Sequence, residues 1–249
     1  MKTTLLALLY ALRTLFRPVC RFREVAVLAY HSVSSGPEDT TVAPAAFAAH
    51  LDALARSGYA FVRLSDVVAW REGRADLPPR AVALTFDDGY ADFVTAALPC
   101  IRRHAAPVTL FLVGDRGAYQ RRQGVPMLGD AVLARLREDP LVELGYHTQS
   151  HPDLRTLTPA ELRAECAAPF PARYFAYPGG NYSTEARDAV AALGYEAAFS
   201  IKPDLVRRSH DPYLLPRIVI TREMTERGVL MRASVAVTWY RTLRRLRYG

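Results

Sequence analysis

Between residues 25 and 220 the chain alternates short β-branched or aromatic runs with longer stretches in which apolar residues recur at helical spacing. The runs "VAVLAY" (25–30), "FVRL" (61–64), "AVALTF" (81–86), "VTLFLV" (108–113), "LVELGY" (141–146), "YFAY" (174–177), "EAAFSI" (196–201) and "RIVI" (217–220) read as strands. "PAAFAAHLDALARSG" repeats Phe47, Leu51 and Leu54 on one face and closes on Gly58, which predicts a helix. "TPAELRAE" predicts another, with Thr158 as N-cap, Pro159 at the first helical position and Glu161 completing a capping box. About eight strands, each followed by a helix or loop, predict either a parallel α/β barrel or a doubly wound sheet. Both architectures collect their functional residues at the carboxyl ends of the strands.

The residues just past those strands are chemically matched. His31 follows "VAVLAY", Asp87 and Asp88 follow "AVALTF", His147 and His151 follow "LVELGY", and Tyr177-Pro178-Gly179-Gly180 closes "YFAY". In "HTQSH" two imidazoles stand at i and i+4, so one helical turn or a tight loop puts both rings on one side, where they can share a cation; Pro152 prevents an easy continuation. Two histidines and one carboxylate leave coordination positions open for water and substrate, the arrangement of a catalytic metal. In "TFDDGY" the adjacent acids at a strand end point to opposite sides, so that one can bind metal while the other takes a proton. Gly89 lets the backbone turn away at once and a substrate approach closely.

At 249 residues, with 50% hydrophobic and 23% charged positions, the chain suits one large α/β domain and excludes disorder. Its formal charge of +7 is concentrated at the ends, leaving about −3 on residues 24–221 by difference, so a nucleic-acid partner is not expected. No internal repeat or long linker is evident, and the chain divides into a basic, apolar N-terminal segment (1–23), one domain (24–221) and a basic amphipathic tail (222–249). "TTLLALLYAL" is too short to span a bilayer and lacks a small-residue cleavage site after it. Both ends are therefore expected to favour peripheral membrane association or a cytoplasmic location. Cys20, Cys100 and Cys166 form no C-x-x-C pair and are expected to be free, buried thiols.

Taken in order, "TFDDGY", "HTQSH" and "FAYPGG" resemble the polysaccharide deacetylases of carbohydrate esterase family four, the NodB-homology domain, over roughly residues 24 to 220. The resemblance implies an irregular (β/α)7 barrel and metal-dependent removal of acetyl groups from N-acetylated sugars. By it, Asp88, His147 and His151 match the ligands of a divalent metal, for which zinc suits the donor set, and Asp87 matches the general base.

Two departures stand out. The family's third motif has an arginine two positions before the proline and a tyrosine after it, where this chain has Ala176 and Gly179; Arg217 in "LPRIVI" is the candidate replacement for the arginine. The family's late histidine motif is absent, and His31 takes the place of the acid, as in the circularly permuted members, in preference to His210 in a polar loop. His50 and His104 fall in helical patterns and are expected to be solvated. Substrate contacts are expected from Tyr90, stacking on a sugar ring, and from the turn of Tyr177, Pro178 and Gly179, whose backbone can face an oxyanion. The alternatives are an O-acetyl esterase, a peptidoglycan or lipid-linked glycan deacetylase, or an inactive carbohydrate-binding domain, the last opposed by a complete set of ligands and base.

Overall fold

Every position of Ala26–Tyr30, Ala81–Phe86 and Val108–Leu112 is buried, so these strands must be covered on both faces. The computed structural model describes residues 24–234. Its strands are β1 (Ala26–Tyr30), β2 (Ala60–Phe61), β3 (Ala81–Phe86), β4 (Val108–Leu112), β5 (Val142–Tyr146), β6 (Tyr174–Ala176), β7 (Ala197–Phe199) and β8 (Ile218–Val219). The α-helices are α1 (Pro44–Arg56), α2 (Leu64–Arg71), α3 (Leu98–Arg103), α4 (Arg116–Gln123), α5 (Asp130–Arg137), α6 (Pro159–Cys166), α7 (Thr184–Ala192) and α8 (Glu226–Arg232).

The strands run in the order β7-β6-β5-β4-β3-β1-β8, with β2 beside β3, and the named strands pair in parallel. Leu215, just before β8, exchanges backbone hydrogen bonds with Ala198 and Ser200 and so joins the β7 edge to the β8 edge. The result is a curled sheet of the irregular (β/α)7 type. The strand period of two divides the core: Val27, Ala83, Phe111, Ala176 and Phe199 fill one layer, together with Val67, Val68 and Trp70 from α2. Leu28, Leu84, Phe86, Leu110 and Leu112 face the other way and pack with Phe47, Leu51 and Leu54 of α1. Phe175, Tyr177 and Ala198 pack with Leu162 of α6 and Ala186 and Val190 of α7.

Several boundaries differ from the sequence pattern. The run 61–64 is a strand only to Phe61, because the Asp66 carboxylate accepts the Arg63 N–H at 3.1 Å and starts α2 at Leu64. The helix ending near Gly58 stops at Arg56, with Gly58 at φ 74°, and the Thr158–Glu161 capping box is present. The first part of the expected tail belongs to the body: His50 Nε2 donates to the Met224 carbonyl at 2.8 Å, Tyr59 to the Ala233 carbonyl at 3.1 Å, and Val229 of α8 is buried. His50 is therefore buried rather than solvated, held against the Met224 carbonyl that precedes α8. Cys100 and Cys166 are free and buried. Residues 1–23 and 235–249, including Cys20 and most of the membrane-facing segments expected above, lie outside the described residues. Among those described, no helix is long and apolar enough to cross a membrane.

Candidate active site

The acid pair is separated by a turn rather than by strand alternation. β3 ends at Phe86; the Asp87 N–H still donates to the Tyr30 carbonyl at 3.0 Å, and then Asp88 and Gly89 adopt φ of 71° and 91°. A Cβ on Gly89 would lie 2.8 Å from Leu112 Cδ2. This glycine is thus buried, and the Leu112 side chain occupies the space that a Cβ would need.

Asp87 is 2% exposed and forked by Arg217, whose Nη1 donates to Oδ1 at 2.6 Å and Nη2 to Oδ2 at 2.8 Å. Arg217 is itself fully buried, donates to Thr85 Oγ1 at 3.1 Å and stacks 5.0 Å over the Phe111 ring. Ala176, at the motif's arginine position, shares a core layer with Phe111, and the guanidinium over Phe111 comes instead from residue 217. Burial opposes ionisation of Asp87, but the Arg217 charge wins and holds the carboxyl far below the usual carboxylate range. His31, at the end of β1, brings Nε2 to 3.9 Å from Asp87 Oδ2.

His147 and His151 lie in a tight loop, not a helical turn. Thr148 and His151 have φ of 69° and 62°, the Thr148 hydroxyl oxygen accepts the His151 N–H at 2.9 Å, and Glu165 of α6 accepts from both Ser150 N–H and Ser150 Oγ. His147 Nδ1 donates to the Ala176 carbonyl at 2.7 Å, which leaves its Nε2 lone pair free to bind a cation. Burial pushes the His147 imidazole down to about 4, so it is neutral and competent as a ligand at pH 7. Asp88 Oδ1 lies 3.7 Å from His147 Nε2 and 3.6 Å from His151 Nε2. That oxygen is buried without a hydrogen-bond partner, as expected of an atom placed for a cation. Asp88, His147 and His151 are the group among the described residues whose donor atoms all come within 4.8 Å of one another.

The remaining candidates are placed less uniformly. Tyr90 is partly buried and sits 6.3 Å from the ring of Tyr119, a residue the sequence did not single out because it lies in the polar helix α4. Tyr119 is buried and its ring stands 5.3 Å from that of His151. Burial, followed by the Asp88 charge, raises both phenols. Tyr177 and Pro178 are buried: Tyr177 packs in the layer under α7 and its hydroxyl donates to the Tyr213 carbonyl at 3.0 Å. Gly179, at φ 59°, is the exposed member of that turn. His210 stays in its own loop, where Nδ1 accepts the Arg207 N–H at 3.2 Å.

Two imidazoles and a carboxylate that would hold a cation, beside a second carboxylate kept ionised, are the side chains that a metal-dependent hydrolase requires. The polysaccharide deacetylase family model matches residues 74–198, half of the chain. YxkH of Bacillus subtilis (strain 168), whose name assigns it to the same family, is 25% identical over 208 residues, covering 80% of this chain and 72% of that protein. The poly-beta-1,6-N-acetyl-D-glucosamine N-deacetylase of Staphylococcus epidermidis is 21% identical over 67% of this chain and 63% of its own length. Among solved structures, the Streptococcus pyogenes deacetylase PplD in complex with acetate superposes with a TM-score of 0.75 at 21% identity, over 85% of this chain and 98% of that one. The chain belongs to the polysaccharide deacetylase family and is a hydrolase of that kind.

Proposed function

We propose that the enzyme removes N-acetyl groups from a polymer of N-acetylated amino sugar, with one zinc ion on Asp88, His147 and His151. The observation that carries this reading is the Arg217–Asp87 fork standing beside the three ligands with His31 Nε2 3.9 Å away. The name of the Staphylococcus epidermidis relative supports an amino-sugar polymer as substrate class.

A divalent ion bound there supplies Lewis acidity, acidifying a water and polarising the acetyl carbonyl. Asp87, held ionised by Arg217, accepts the proton of the attacking water; it is a weak base, and the acidity of that water compensates. The water oxygen bonds to the acetyl carbon. In the turn after β6 the Tyr177, Gly180 and Asn181 N–H groups already donate to the Phe199, Tyr177 and Pro178 carbonyls, and proline has none, which leaves the Gly179 N–H for the developing oxyanion. His31 then gives a proton to the sugar nitrogen as the C–N bond breaks, releasing acetate and an amine.

The test is acetate release from poly-β-1,6-N-acetylglucosamine, chitooligosaccharides, peptidoglycan and lipid-linked glycans, before and after chelation and re-addition of zinc. Release from an N-acetylated polymer, lost on chelation and restored by zinc, is expected. Acetate from O-acetylated glycans alone, or from none of these substrates, overturns the reading.

A further inference from the structure

Asp92, four residues after Asp88, caps the π-helical segment Phe93–Ala97 that continues into α3. Its carboxylate reaches across to the loop that follows His31. Ser32 Oγ donates to Asp92 Oδ2 at 2.5 Å and contacts Ser34 Oγ at 2.9 Å. The opposite side of this loop is held by backbone alone, Val42 N–H to the Ser32 carbonyl at 2.9 Å and Ser34 N–H to the Val42 carbonyl at 3.0 Å. Residues 31–34 are thus fastened to Asp92 by the Ser32 hydroxyl and by the backbone of Val33.

The His31 ring needs that fastening. At 3.9 Å, Asp87 is too distant to orient it by a hydrogen bond, and Nδ1 is buried with no partner among the described residues. Asp92 also keeps one oxygen, Oδ1, buried without a partner. Burial raises the Asp92 carboxyl against the opposing hydrogen bonds from the Ser32 hydroxyl and the Val33 backbone, so the group is held there at a cost to stability. A neutral amide would tether a serine more cheaply, and buried polar groups kept at such a cost concentrate beside functional residues.

We propose that Asp92 is a positioning residue, which through Ser32 sets the reach of His31 toward the scissile nitrogen. The inference rests on the reading of His31 as proton donor. Its consequence is selective: Asp92 matters for a leaving group that must be protonated and little for one that leaves unaided.

The experiment compares wild type with His31→Ala, Asp92→Ala, Asp92→Asn and Ser32→Ala on two substrates, the glycan that releases most acetate in the panel above and an aryl acetate whose phenolate needs no proton. Asp92→Ala is expected to lower kcat on the amide by about tenfold or more, with ester turnover and metal content changed less than about twofold. Ser32→Ala should follow it, and Asp92→Asn should recover most of the loss, because its carbonyl oxygen still accepts from Ser32. If Asp92→Ala fails to fold, Ser32→Ala carries the test. Equal losses on amide and ester, or unchanged amide turnover while His31→Ala is selectively impaired, overturn the inference alone. A wild type inactive on both substrates, or a His31→Ala variant without selective loss, overturns the functional reading and the inference with it.

Discussion

Arg217 and Asp87, 130 residues apart in sequence, meet as a fully buried fork in which both carboxylate oxygens are engaged, at 2.6 and 2.8 Å. Such a pair is expensive to break, because removing one partner leaves an uncompensated charge in the core.

Arg217→Met is accordingly expected to cost about 3–5 kcal/mol in urea unfolding and to abolish acetate release. Asp87 titrates in the fold far below its unfolded value, so its contribution is present above about pH 4 and lost as the pH falls further. Arg217→Lys keeps a charge without the fork, and its acidic limb of activity should move to higher pH. A wild-type pH–rate profile in that variant would show that Arg217 does not set the state of Asp87.

His147→Ala should bind zinc at least about a hundredfold more weakly than wild type, since it removes a nitrogen donor whose tautomer is fixed by Ala176. Metal content after dialysis against a zinc buffer is the measurement. Equal content in the two preparations would refute the ligand assignment.

Burial lowers both His147, to about 4, and His50. In metal-free protein the unfolded imidazoles take up a proton near pH 6.5 and the folded ones do not, so stability is full above that pH and falls between about 6.5 and 4. Urea midpoints at pH 7.5, 6 and 5 should therefore decrease. His50→Gln should flatten the slope without affecting acetate release, because the glutamine amide can still donate to the Met224 carbonyl. A slope unchanged in that variant would mean that His50 does not contribute to it.

Tyr177→Phe should lower stability by about 1 kcal/mol through loss of the bond to Tyr213, with kcat and KM for the glycan unchanged. An increase in KM at constant stability would return Tyr177 to the substrate path.

Much of the site could be read locally. Strand ends are visible where an apolar run meets polar chemistry, and in a parallel α/β barrel those ends converge, which is why His31, Asp87, Asp88, His147 and His151 could be grouped before any contact was known. Tyr177, grouped with the substrate contacts by its motif, stands just after β6 and packs its side chain in the layer with Ala186 and Val190 of α7, a neighbour that no local pattern names. Tyr119 had no local signal, standing in a polar helix and reaching the site only through the packing of α4 against the His151 loop.

What the sequence determined by itself was the set of elements, the donor types and the approximate strand-end positions, because these depend on periodicity and on residues within a few positions of one another. The tertiary structure decided the rest. Only the adjacency of β8, β1 and β3 brings Arg217 to Asp87, only the left-handed turn at Asp88 aims that carboxylate at two imidazoles, and only the crossing of the chain at Asp92 brings its carboxylate to Ser32. Each of these pairings depends on which strands become neighbours and on a single backbone rotation, and no local pattern of apolar and polar residues encodes either one.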